Sequence, residues 1–161
     1  MITVRFSFPT GAAFDVPLSD SIKIRKNFTL SELANNKAQD TVKFIYNRQV
    51  AEFLDCVQEL RDWFNKPVQV NSCYRTARYN ASCGGSSNSL HLDALALDWG
   101  VVHTNAQREN VKKKWREICE AHGKVGGINI YSHGYHLDVN EEKFGYKSFV
   151  VRDYRGKKGD W

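Results

Sequence analysis

Three residues in this 161-residue sequence carry the types and the order that metal chemistry asks for: His91, Asp98 and His136. His91 closes a polar stretch, Asp98 lies in the apolar run that follows, and His136 lies in a later one. Two imidazoles and one carboxylate make a donor set suited to Zn²⁺. Three protein ligands leave a fourth position for water, which is the catalytic and not the structural pattern. A plainer reading fits the same residues, with each histidine hydrogen-bonded at the surface and Asp98 paired with a Lys or Arg.

The elements that must position these residues can be read from period and punctuation. The stretch 71–90, rich in Ser, Asn and Gly, reads as a long polar loop, and long loops in compact domains are usually functional. Ala94 to Val101 reads as a buried strand. Alternation puts Asp98 on one face with Ala94 and Ala96, and Leu95, Leu97 and Trp99 on the other. Gly127–Tyr131 and Tyr135–Val139 read as two strands around a Ser-His-Gly turn, and a last strand is expected over 148–151.

Upstream, residues 2–8 alternate as a strand does, and Pro9, Gly11 and Pro17 then break the pattern. Val50, Phe53, Leu54, Val57, Leu60 and Phe64 recur at helical spacing, which predicts a helix over about 41–64, stopped before Pro67. Val68 to Val70 predicts a short strand after it. Thr29-Leu30-Ser31-Glu32 and Thr104-Asn105-Ala106-Gln107 are capping boxes, each opening a helix, the second running to about His122 with Gly123 at its stop. Trp115, Ile118 and Cys119 form a core stripe, and His103 and His122 are expected to be structural. Tyr131, Tyr135 and Trp99 line a groove or pack the sheet. Interleaved helices and strands with hairpin signals predict one α+β domain over 1–161, a mainly antiparallel sheet flanked by helices.

Composition narrows the function classes. Hydrophobic residues make up 42% and charged residues 25%, an ordinary globular balance that excludes disordered and low-complexity chains. No apolar run has the roughly 18 residues of a membrane span, and the alternating N-terminus does not read as a signal peptide. Any role outside the cytoplasm would therefore need another export route. The net charge of +5 comes from 23 basic and 18 acidic residues. These are scattered, so a specific nucleic-acid partner is not expected. The four cysteines include no C-x-x-C pair. Cys56 and Cys119 fall on apolar helix faces, and a Cys73–Cys83 bridge would need an oxidising compartment. Residues 152–161 read as a solvated polar tail.

Taken together, Ser72-x-Tyr74-Arg75, Asn80, Gly84-Gly85, Ser89-x-His91, Ala96, Asp98, the run Gly126 to Tyr131 and His136-x-Asp138 resemble the signature of the zinc D-Ala-D-Ala carboxypeptidase family. That family includes phage endolysins and other peptidoglycan peptidases, and it shares its metal-site architecture with the hedgehog N-terminal domain. The match runs over about 71–139, with weaker similarity around Phe28–Leu33. The resemblance implies a fold of hedgehog or DD-peptidase type and one Zn²⁺ held by His91, Asp98 and His136. It also implies a peptidase acting on peptidoglycan stem peptides, and the chain is expected to be a monomer. Arg75 would hold a substrate carboxylate or carbonyl and the developing oxyanion, with Ser89 and Tyr74 beside the substrate. A non-catalytic zinc-binding interaction module is the alternative.

Two positions depart from the family pattern. Ala94 stands where glycine is common. His133 stands where better-known members carry an acid three residues before the last zinc histidine. His133 is thus the expected proton-transfer residue and Asp138 its competitor, sharing the face of His136.

Overall fold

A computed structural model describes residues 3–7, 10–34 and 44–161. The alternating N-terminus forms β1 (Thr3–Ser7), antiparallel to β2 (Ala13–Pro17). A ribbon of β3 (Lys23–Arg25) and β4 (Phe28–Thr29) leads into α1 (Leu30–Ala34). Its capping box forms as the spacing predicts. The Glu32 carboxylate accepts the Thr29 N–H at 2.8 Å, and the Thr29 hydroxyl accepts the Glu32 N–H at 3.3 Å. Short β5 (Ile45–Tyr46) then joins β1 in parallel.

The next helix, α2 (Arg48–Phe64), starts later than the expected 41. Tyr46 and Ile45 are already paired with β1, and Asn47 Oδ1 accepts the Val50 N–H at 2.9 Å, so the helix begins at that cap. Residues 41–43 lie outside the described residues. Asn65 ends the helix in the left-handed region at φ 53, shortly before Pro67.

After β6 (Gln69–Ser72) the expected irregular loop holds α3 (Ala77–Ser82), capped by the Thr76 hydroxyl, which accepts the Tyr79 N–H at 3.1 Å. Its six residues are too few for an apolar period to announce. A 3₁₀ turn (Leu90–Asp93) follows, then β7 (Ala96–Gly100) and α4 (Asn105–Ala121) with its capping box complete at Thr104 and Gln107. The hairpin of β8 (Gly126–Tyr131) and β9 (Gly134–Val139) falls where the sequence puts it. A second 3₁₀ turn (Glu141–Phe144) leads to β10 (Val150–Asp153), shifted C-terminally from the expected window.

The main sheet is ordered β10-β8-β9-β7-β6. Its pairings are antiparallel except that of β10, which lies parallel to β8. The expected mainly antiparallel α+β architecture is what the chain adopts. One face presents Leu97, Trp99, Ile128, Ile130, Tyr135 and Leu137, all buried, with α4 packed on β8 and α2 on α4. Each fully buried aliphatic side chain there stabilises the fold by about 1.5–3 kcal/mol. Trp115 and Ile118 belong to this core, as do Cys56 and Cys119. The four cysteines are free thiols, and Cys73 is buried while Cys83 is exposed.

The C-terminal segment is docked, in contrast to the solvated tail expected. Arg152 and Asp153 belong to β10. The Asp160 carboxylate accepts the Ser132 N–H and hydroxyl at 2.7 and 2.6 Å, and Trp161 stacks on Tyr131 with centroids 4.6 Å apart. These contacts join residues nearly thirty apart, so no local pattern announces them.

Candidate metal centre

Strand register assembles the site. Ser72 on β6 pairs with Asp98 on β7, Asp98 with His136 on β9, His136 with Asn129 on β8, and Asn129 with Arg152 on β10. Residues in register point to the same face, so one polar row crosses the sheet opposite the apolar core. His91 reaches the row from the 3₁₀ turn, where the Ser89 hydroxyl accepts the His91 N–H at 3.3 Å. The Arg75 N–H donates to the His91 carbonyl at 2.9 Å, tying that turn back to β6.

The three expected ligands come together. One donor atom from each of His91, Asp98 and His136 lies within 4.8 Å of the others. His91 Nδ1 is 2.6 Å from the Cys73 carbonyl. A carbonyl only accepts, so Nδ1 carries the proton and Nε2 keeps its lone pair. That lone pair faces Asp98 Oδ1 at 3.2 Å. Two electron-rich atoms at this distance call for a cation between them. His136 Nδ1 faces the same oxygen at 2.9 Å, and its Nε2 lies 2.9 Å from Asp138 Oδ2. The Asp138 carboxylate takes the Nε2–H and thereby leaves Nδ1 for a metal, the arrangement that fixes a ligating imidazole. The donor set and its facing lone pairs fit a zinc ion held by His91, Asp98 and His136.

The electrostatics agree. Burial pushes the Asp98 carboxyl up, but the two imidazoles outweigh it and hold the group well below the ordinary carboxylate range. Burial lowers His91 despite the Asp98 charge, which favours the neutral, ligating ring. Burial also disfavours charge on His136, yet hydrogen bonds to Asp138 and Asp98 override it and lift the group to about 10. In the metal-free protein a proton occupies the place on His136 that a metal would take.

The remaining expected residues divide. Arg75 donates from Nη2 to Asp98 Oδ2 at 2.6 Å and from Nε to Ser72 Oγ at 2.8 Å, so its fork grips one of the three expected ligands. Ser89 lines a cleft of about 400 Å³ that reaches His136 and Asp138. Tyr74 faces away from it, buried against Phe44 and lining a separate cavity of about 280 Å³. His133 sits exposed at the tip of the β8–β9 hairpin, roughly 10 Å along the strand from His136, with its backbone N–H on the Trp161 carbonyl at 2.8 Å. The sequence places it near the last histidine only in number. Ala94 is not in the strand: it caps the 3₁₀ turn at φ 56, a conformation natural to glycine.

Among the cleft residues that the sequence reading does not single out are Glu141, Tyr146 and Arg152. The spacing of Asp138 and Glu141 was the only local hint, and Arg152 arrives through a parallel pairing with no sequence signature. His103 bonds the Tyr135 hydroxyl at 2.8 Å and His122 bonds Glu59 at 2.9 Å, both away from the centre.

Compared with known families, residues 26–139 match the model described as Peptidase M15. The chain belongs to the peptidase M15 family. No curated protein matches the sequence. M15 peptidases are zinc-dependent, in keeping with the donor set of this M15 chain. Its His91, Asp98 and His136 all lie within the matched residues, whereas Glu141 and Arg152 lie beyond them. No helix among the described residues is long and apolar enough to cross a membrane.

Proposed function

We propose that this M15 peptidase hydrolyses amide bonds in peptidoglycan stem peptides containing D-amino acids, using one zinc ion held by His91, Asp98 and His136. The observation that carries the reading is the facing of three donor atoms beside a polar cleft. When bound there, zinc supplies an activated water and polarises the scissile carbonyl.

The chain's own residues do the rest. His91 is fixed by the Cys73 carbonyl and His136 by Asp138. Arg75 holds Asp98 and Ser72, so its first task is to keep the carboxylate aimed, and a substrate carbonyl is a second use of the same guanidinium. Ser89 and Asn88 on one wall, and Asn129 across the cleft, offer hydrogen bonds to a peptide backbone. Asp138 belongs to the machinery in preference to His133, because it touches the metal histidine. A phage- or prophage-encoded lysis or wall-entry enzyme fits the reading.

The test is digestion of purified peptidoglycan by zinc-loaded protein, with mass spectrometry of the released muropeptides. New amines with fragment masses marking one amide bond are expected, lost in Asp138→Asn and kept in His133→Ala. Zinc-loaded protein that releases no amine would instead make the chain a non-catalytic binding module.

A further inference from the structure

Beyond the residues shared with the family, a buried acid and a cation adjoin the metal centre. Glu141 is 1% exposed, and a buried carboxylate costs several kcal/mol unless it is paired. Its partner is Arg152, whose Nη1 and Nη2 donate to Oε1 and Oε2 at 3.1 and 3.3 Å. On its other side stands Asp138. Oδ2 of Asp138 serves His136, while Oδ1 is buried and accepts no hydrogen bond among the described residues.

The two carboxyls share one niche. A Cβ on Gly127 would meet Glu141 Oε1 at 2.7 Å and Asp138 Oδ1 at 2.8 Å, so the position must be glycine for both acids to sit there. Two carboxylates this close repel unless something intervenes. Arg152 offsets one charge. Burial, outweighing the Arg152 contact, pushes the Glu141 carboxyl up, towards the form whose O–H can be offered to Asp138 Oδ1. Either way, the orientation of Asp138 depends on Glu141, and that of Glu141 on Arg152.

We propose that Glu141 and Arg152 are positioning residues, supplied by the segment after residue 139, that hold Asp138 against His136 and so tune the metal centre. The proposal rests on the metal site read above and not on the identity of the peptide that is cut. Partners one step behind a metal ligand are typically worth 10–100-fold in affinity or activity.

The experiment compares wild type, Glu141→Ala, Glu141→Gln, Arg152→Gln and the exposed neighbour control Glu142→Gln. Zinc affinity is read by chelator competition, the Co²⁺-substituted protein by its visible absorption, and activity as separate kcat and KM. Glu141→Ala is expected to weaken zinc 10–100-fold, shift the Co²⁺ bands and lower kcat with little change in KM. Glu141→Gln should recover most of this, because its carboxamide accepts from Arg152 and donates to Asp138 Oδ1. Arg152→Gln, made from a partly exposed side chain, should weaken zinc about tenfold, and Glu142→Gln should change nothing.

Folded Glu141→Ala with wild-type zinc affinity and Co²⁺ spectrum would overturn the proposal. Should that variant not fold, an unchanged zinc affinity in Arg152→Gln would overturn it equally. Wild type that binds no zinc would remove the metal site and this inference together. If wild type binds zinc but leaves peptidoglycan intact while Glu141→Ala still weakens zinc, the positioning role stands and only the substrate reading fails.

Discussion

The two walls of the cleft are built by different means. One wall, Ser86 to Leu90, is braced by short-range bonds: Asn80 Nδ2 donates to the Ser86 carbonyl at 2.8 Å, and Ser89 caps the turn that carries His91. The other wall, Glu141, Phe144, Tyr146, Arg152 and Tyr154, depends on β10 pairing with β8 and on the docked C-terminal segment. The first lies inside the M15 match and the second beyond it. The contrast separates a wall carried by the matched residues from a wall that this chain builds beyond them, from which Glu141 and Arg152 reach Asp138.

Removing a metal donor, on which both walls depend for function, gives the largest effect. Asp98→Ala should abolish stoichiometric zinc binding and lower amide hydrolysis by about a thousandfold or more, since metal activation supplies several kcal/mol; wild-type zinc content in this variant would contradict the ligand assignment. On the first wall, Arg75→Lys keeps the charge but loses the fork across Ser72 and Asp98. Zinc affinity measured by chelator competition should fall roughly tenfold to a hundredfold.

At the C-terminal dock beside the second wall, away from Glu141 and Arg152, the expected loss is in stability and not in metal affinity. Trp161→Ala removes the stack on Tyr131 and should lower the urea-unfolding free energy by about 1–2 kcal/mol, with zinc affinity retained. A parallel fall in zinc affinity would show that the docked segment, like Glu141 and Arg152, also braces the metal centre.

Metal-free protein should also show an alkaline decline. His136 is raised from 6.5 to about 10 by its carboxylate neighbours, so its contribution is complete below pH 6.5 and is lost as pH rises towards 10. Asp98 is depressed from 3.8, so its contribution holds above that value and is lost as pH falls below it. Thermal melting across pH should therefore fall on both sides for metal-free protein, with the alkaline limb flattened by zinc. The smallest effect belongs to Ala94→Gly. Relief of the left-handed strain at φ 56, less the extra chain entropy of glycine, should stabilise the fold by about 0.5 kcal/mol, visible as a higher urea midpoint.

What was legible in the sequence follows the same division. Thr104 with Gln107, and Gly127 to Val139 around a tight turn, are local signals, and both elements form where they were expected. Asp98 and His136 share a face because alternation is local to each strand, although only the fold makes them partners in register. An apolar period has no sharp start, so it overextends helix α2, whose beginning is set by the Asn47 cap. Counting back from His136 favours His133, whereas a hairpin tip turns that count into distance. Arg152, Glu141 and the docked Trp161 depend on contacts between distant segments, which no periodicity encodes.

X-ray absorption at the zinc edge of stoichiometrically loaded protein tests the metal centre most directly. Two imidazole nitrogens and oxygen donors at about 2.0–2.2 Å, with no sulfur, are the expected first coordination sphere. A sulfur shell near about 2.3 Å, or a sphere without imidazole scattering, would contradict the assignment of His91, Asp98 and His136.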